Sequence, residues 1–148
     1  MEPIILAYIG VALSIGLSGV GSAIGVTSTA KAAIGGMKKN TDAFGSYMIL
    51  CMPPATNGLY GFLGYFLVSP YLIAGISMFQ AAAIFGACAA LGLVNLLSAI
   101  MQGQSASNAI ATISSGHDVF GKSLILIVFA EFYAIIAVAA LFLVTLTL

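Results

Sequence analysis

Charge is what this sequence has least of. Of its 148 residues only 5% are charged, four acids against four bases, while 61% are hydrophobic; about a quarter of the residues of a soluble domain are charged. That scarcity excludes a soluble globular domain and describes a membrane protein. With a formal net charge of zero and no basic or acidic run, nothing is offered to nucleic acid or another polyanion. Cysteine is scarce too. Cys51 and Cys88 sit inside apolar runs, without metal-ligand spacing or the density of a disulfide framework, and are expected to be small core residues. The residues GHDVFGKS at 116–123 spell G-x-x-x-x-G-K-[ST], but they join two apolar runs rather than a strand to a helix, so no nucleotide chemistry or organic cofactor is expected here. No Lys or Arg precedes Lys31, so the basic flank of a cleavable signal peptide is missing and the first apolar run is expected to stay.

What is present is long hydrophobic runs, at about 4–36, 43–69, 76–111 and 119–147, each longer than the roughly 20 residues a bilayer core requires. The pattern predicts an all-α membrane protein with four spanning helices. Between them lie MKKNTD at 37–42, the largely apolar SPYLIAG at 69–75 with its Ser69-Pro70 turn signal, and ISSGHD at 113–118. Lys31, Lys38, Lys39 and Lys122 all fall at or beside the first and third connections. The positive-inside rule puts those connections in the cytoplasm and both termini on the other side. Lys31, a turn or so inside the first span, can snorkel to the interface. His117 is expected to be a solvated loop residue.

Slid against itself by 76 residues, the chain aligns without a gap. DAFGSYMIL at 42–50 lies over DVFGKSLIL at 118–126, Ser22-Ala23-Ile24 over Ser98-Ala99-Ile100, Gly10 over Gly86, Gly16 over Gly92, and Phe66-Leu67-Val68 over Phe142-Leu143-Val144. Two tandem helical hairpins follow, residues 1–72 and 73–148, in a parallel rather than an inverted repeat. In this register Glu131 lies over Ala55 and Gln102 over Val26. Only the second copy keeps a carboxylate within a spanning run. GLSGVGSAIG at 16–25 puts small residues on several faces of the first helix, which suits either ordinary packing in one bundle or an inner wall of helices crowded around an axis.

Glu131 stands near the middle of LILIVFAEFYAIIAVAALFLVTL, 124–146. Placing an acid at the centre of a spanning helix costs about 2.5–3.5 kcal/mol, so a function is sought for it. Glu131 lies 13 residues past Asp118, Gln102 lies 12 before Ser114 and Thr56 lies 14 after Asp42, which puts all three within about one helical turn of a common depth. Asn57 and Tyr60 extend the cluster, and Thr56 and Tyr60 share a helix face. Just before them, Pro53-Pro54 cannot donate to the carbonyls of Ile49 and Leu50. Those carbonyls either mark a packing kink or line a cavity where a cation serves as partner. A carboxylate, an amide oxygen, a hydroxyl and a carbonyl are the donors a hard cation prefers. Glu131 would neutralise a monovalent ion, Gln102, Thr56 and Asn57 would complete its shell, and Tyr60 would donate to the carboxylate. Protonated Glu131 is the equivalent state for H⁺. Hydrogen bonding between helices with no ion is the alternative.

Taken together, the duplicated hairpin, the glycine-rich first helix, PATNGLY at 54–60, LSAIMQGQ at 97–104 and FAEFYA at 129–134 resemble the proteolipid (c/K) subunit of V-type and A/V-type rotary ATPases. The resemblance implies a homo-oligomeric ring in the membrane, Glu131 as the carrier of the transported ion, and no catalysis within the chain. It also implies as partners a static a/I-type membrane subunit with half-channels, central-stalk subunits on the cytoplasmic loops, and lipid, in a bacterial plasma membrane. Sodium-binding members are matched at Thr56, Tyr60 and Gln102; Asn57 stands where they carry Gln, and Pro53 where a backbone carbonyl would be a ligand. The resemblance therefore favours Na⁺ over H⁺ as the cargo. A small secondary cation transporter and a purely structural, channel-forming proteolipid are the rival readings.

Overall fold

The computed structural model describes residues 2–148, and they are helical almost throughout. Helix α1 spans Pro3–Met37, α2 Phe44–Cys51, α3 Pro53–Val68, α4 Met78–Ser114 and α5 Phe120–Thr145, with one 3₁₀ turn at Ser69–Tyr71. α1, α4 and α5 are each long and apolar enough to cross a membrane. Their outward faces carry Ile24, Leu97, Phe129, Ile136 and Leu143 in the open, a surface suited to lipid rather than water.

The second apolar run was expected as one helix over 43–69; the structure divides it at Met52 into α2 and α3. The cause is local. Pro53 and Pro54 bring no N–H, so the Ile49 carbonyl accepts from the Met52 amide at 3.2 Å and the Met52 carbonyl from Ala55 at 2.9 Å. Met52 keeps helical angles, φ −76° and ψ −42°, so the ladder breaks while the direction of travel is kept. The Ile49 carbonyl is thus satisfied by its own chain.

Sequence chemistry explains the other ends. Pro3 opens α1 at a position where its missing N–H is no loss. Ser77 and Gln80 form a capping box at the start of α4, with Gln80 N donating to Ser77 Oγ at 3.2 Å and Ser77 N to Gln80 Oε1 at 3.1 Å. Past the end of α4 the chain turns at Gly116, whose φ of +92° favours glycine.

Helices α1 and α4 form the central pair and run parallel in near register. A Cβ at Gly10 would stand 2.5 Å from Phe85 Cα, and the Ser28 and Ser107 hydroxyls, several turns further along, are 3.1 Å apart. Helix α3 packs against α1, α4 and α5, and α5 against α4 and α3. Two apolar clusters hold the ends. One gathers Ala7, Val11, Val68, Ile84, Leu91 and Leu141; the other gathers Ala33, Tyr47, Leu50, Ile110 and Ile127. Between them the core is polar, with Ser14, Ser18, Asn57, Asn95 and Gln102 wholly buried. Cys88 is buried and Cys51 half-buried, both as free thiols, and His117 is exposed.

Candidate functional site

The polar belt is assembled by close helix approach. At Gly25 on α1 an added Cβ would stand 2.7 Å from Pro54 Cβ, and at Gly103 on α4 it would stand 2.5 Å from Gly25 Cα. Only glycine allows three backbones to meet so tightly. The contact presses the first turn of α3 against α1 and α4 and sets the heights of the side chains that follow.

On that turn, Thr56 Oγ1 donates to the Pro53 carbonyl at 2.7 Å. With its proton committed to its own helix, the hydroxyl leaves its lone pairs for another partner. Asn57 Nδ2 donates to Gln102 Oε1 at 2.7 Å, and both residues are fully buried. One turn on, the Tyr60 hydroxyl donates to Glu131 Oε1 at 2.8 Å. Helix α3 therefore reaches α4 through Asn57 and α5 through Tyr60, and the half-buried Glu131 is tied to the opposite hairpin. The Pro53 ring is buried.

Two polar atoms of the amide pair stay without a hydrogen-bond partner, Asn57 Oδ1 and Gln102 Nε2. Leaving such a group unmet costs about 1–3 kcal/mol. Exchanging oxygen and nitrogen in both amides reverses the single bond and frees Gln102 Oε1 instead, with the same shape. Either way one buried amide oxygen is left for a ligand that only accepts electron pairs. Together with the carboxylate and the Thr56 hydroxyl, it makes an oxygen set with a single negative charge, chemically suited to one monovalent cation or to a proton on the acid.

Four buried or half-buried polar residues of the belt lie outside the group picked from the sequence. Ser98 Oγ donates to the Ala130 carbonyl at 2.8 Å and pins α5 to α4 beside Glu131. Its repeat partner Ser22 reaches toward the Ala55 carbonyl at 3.4 Å, so the Ser-Ala-Ile repeat carried a signal for it. Asn95 Nδ2 donates to Ser18 Oγ at 3.0 Å and Ser14 Oγ to the Gly61 carbonyl at 3.0 Å. No motif pointed to these three. A cavity of about 550 Å³ lies away from Glu131, between α1 and α4 beside Thr27, Lys31 and Ser107.

Comparison with known proteins adds the lineage. The model of the family described as the ATP synthase C subunit matches twice, at residues 9–68 and 85–144, and 85 follows 9 by the same 76 residues as the internal repeat. The A-type ATP synthase subunit K of Methanocaldococcus jannaschii is 34% identical over 135 residues, covering 91% of this chain but only 59% of that protein. The V-type sodium ATPase subunit K of Enterococcus hirae is 32% identical over 142 residues, covering 96% of this chain and 91% of that protein.

Proposed function

The chain belongs to the ATP synthase C-type proteolipid family, carrying the family unit twice, and from that premise we propose that it is the ion-carrying rotor subunit of a V-type or A/V-type rotary ATPase. The observation that carries the reading is the hydrogen bond from Tyr60 to Glu131: a single membrane carboxylate, in a duplicated hairpin, held by a hydroxyl from the other half. Occupied by a cation or a proton, Glu131 is neutral and can face lipid; empty and charged, it cannot do so cheaply. The ion enters at a static membrane subunit, rides on Glu131 as the ring turns, and leaves by a second half-channel. ATP is hydrolysed in a soluble sector to which this chain does not contribute. Residues 1–72 and 73–148 form the two hairpins, α2 and α3 together make the second of the four spans, and the connections flanked by lysines face the cytoplasm and the central stalk.

Two free glycines support a ring. Gly10 and Gly92 bring α1 and α4 together: a Cβ at Gly92 would stand 2.6 Å from the Leu13 carbonyl oxygen. Their repeat partners, Gly86 and Gly16, would meet nothing within 4 Å. A second copy seated as α4 is seated on α1 puts both to the same use, with Gly86 against Ile9 and Gly16 against Ala89 of the adjoining copies. Such a head-to-tail contact forms a ring where its rotation closes.

For the cargo, the neutral oxygens of Thr56, Gln102 and Asn57 favour Na⁺, and one relative bears the name of a sodium ATPase subunit; H⁺ on the same carboxylate is the alternative. A lipid-soluble carbodiimide, which attacks a protonated acid in an apolar setting, tests the reading in the assembled complex. Glu131 should be labelled with loss of coupled ATPase activity, and Na⁺ but not K⁺ should protect it, because cation and proton compete for the same oxygens. Labelling confined to Glu2, Asp42 or Asp118 would refute the assignment of Glu131. Equal labelling in Na⁺ and K⁺ would assign the cargo to H⁺.

A further inference from the structure

A groove of about 390 Å³ runs between α4 and α5 on the second hairpin, lined by Ser105, Asn108, Thr112 and Ser123 with Leu126 and Ile127 at its inner end. We propose that this groove is the rotor's own wall of the path by which the ion moves between Glu131 and the face bearing the 115–119 connection; the proposal rests on the rotor reading above.

The first support is placement. Ser105, Asn108 and Thr112 follow one another at spacings of three and four along α4 and so share a face. All three are exposed and Ser123 is half-buried. The groove starts beside Val119, at the end of the connection, and reaches Ser105 and Ile127. Ser105 is three residues from Gln102 and Ile127 four from Glu131, so its inner end stops about one helical turn short of the site.

The second support is a control built into the chain. Seventy-six residues earlier, at the same height, Ser105, Asn108, Thr112 and Ser123 are replaced by Thr29, Ala32, Gly36 and Tyr47. Thr29 is buried and donates to the Val26 carbonyl of its own helix at 2.8 Å. Tyr47 is fully buried; its ring carbon Cζ would lie 3.1 Å from a Cβ at Gly36, and its hydroxyl donates to the Asn40 carbonyl at 3.2 Å. There Tyr47 fills the corresponding space, and Ala55 stands in place of the acid. Height above the connection is common to both halves, so proximity to water does not account for the difference. The groove with its hydroxyl and amide groups and the carboxylate occur in the same copy.

The third support concerns what lies over the groove. On the first hairpin the same position is covered by Ala106, Ala109 and Ile110 of α4, packed with Tyr47 and Leu50. A following copy seated in the same manner lays its α1 there. Ser123 then leaves open the volume that Tyr47 occupies in the first hairpin, so docking roofs the groove without filling it. Hydroxyl and amide groups can replace part of an ion's water, and with no charge of their own they do not trap it.

Cysteine access in the assembled, membrane-embedded complex decides the matter. In a background with Cys51→Ala and Cys88→Ala, Asn108→Cys and Ser105→Cys should react with a membrane-impermeant cationic methanethiosulfonate added from the 115–119 side, with loss of ion transport. Ala32→Cys, the repeat partner of Asn108, should stay unreacted. Failure of Asn108→Cys and Ser105→Cys to react, or equal reaction of Ala32→Cys, overturns the proposal. Ser123→Tyr, which refills the groove, should abolish most transport while Na⁺ still protects Glu131 from carbodiimide at equilibrium; full transport in that variant also overturns it. Since Glu131 labelling is read separately, failure of the groove is distinguishable from failure of the rotor reading. Should Ser123→Tyr fail to assemble, the cysteine reactions alone decide.

Discussion

Tyr60 and Glu131 stand 71 residues apart in sequence and 2.8 Å apart in space, hydroxyl to carboxylate, joining the first hairpin to the second. A hydrogen bond to a charged group contributes about 1.5–3 kcal/mol. Removing it with Tyr60→Phe should weaken retention of the cation, because the carboxylate loses the donor that orients it. The expected reading is about tenfold or more Na⁺ for half-protection of Glu131 from carbodiimide, each factor of ten being about 1.4 kcal/mol. An unchanged protection curve would show that the hydroxyl is dispensable.

The amide pair predicts non-additive stability. Gln102→Leu leaves Asn57 buried with neither amide group met, which should destabilise the protein by about 1–3 kcal/mol. Adding Asn57→Leu should recover part of that loss, since two apolar side chains replace two amides that satisfied each other only in part. Thermal unfolding of the two single variants and the double variant measures the coupling. Simple additivity would mean that the 2.7 Å bond between Asn57 and Gln102 contributes nothing.

Gly10 and Gly86 occupy equivalent places in the repeat and should fail differently. Gly10→Leu drives its Cβ into the Phe85 backbone and should unfold the chain; a Cβ at Gly86 meets nothing within 4 Å, so Gly86→Leu should leave the chain folded but unable to join a neighbour. Helical content by circular dichroism and particle mass in detergent separate the two outcomes. A Gly86→Leu protein that assembles normally would remove the ring seam proposed for this face.

Restoring the missing donors should mend the helix. Pro53→Ala with Pro54→Ala supplies N–H groups to the Ile49 and Leu50 carbonyls, so α2 and α3 should fuse into one helix over 44–68. Slower hydrogen exchange at residues 51–55 would report the repair. Straightening also shifts Tyr60 relative to α5, so Na⁺ protection of Glu131 should fall in the same variant. Exchange as fast as in the natural sequence would mean that something other than the prolines breaks the ladder at Met52.

Much of the architecture was legible in the chain itself. Scarcity of charge and length of the apolar runs set the membrane class, because hydrocarbon tolerates little else. The 76-residue register set the duplication and marked Glu131 as an acid inside a spanning run that has no counterpart in the other copy. Both are properties of residue type and order, which no contact needs to arbitrate. The break at Met52 was half legible: the proline pair announced a disturbed ladder, but whether the Ile49 carbonyl would turn to a ligand or to its own chain depended on local geometry.

Pairing across helices was decided by the tertiary structure alone. Counting from the loops places Thr56, Gln102 and Glu131 at one depth, yet cannot say that Gln102 meets Asn57, that Ser98 meets the Ala130 carbonyl, or that Asn95 meets Ser18. Those partners depend on the rotation of each helix about its axis, fixed by which glycines are spent on close approach. The sequence shows glycines on several faces of α1; the fold uses Gly10, Gly21 and Gly25 against α4 and leaves Gly16 and Gly19 open. Depth follows from a 1.5 Å rise per residue, which is local, whereas rotation is set by packing between segments remote in the chain, and so only the assembled bundle determines it.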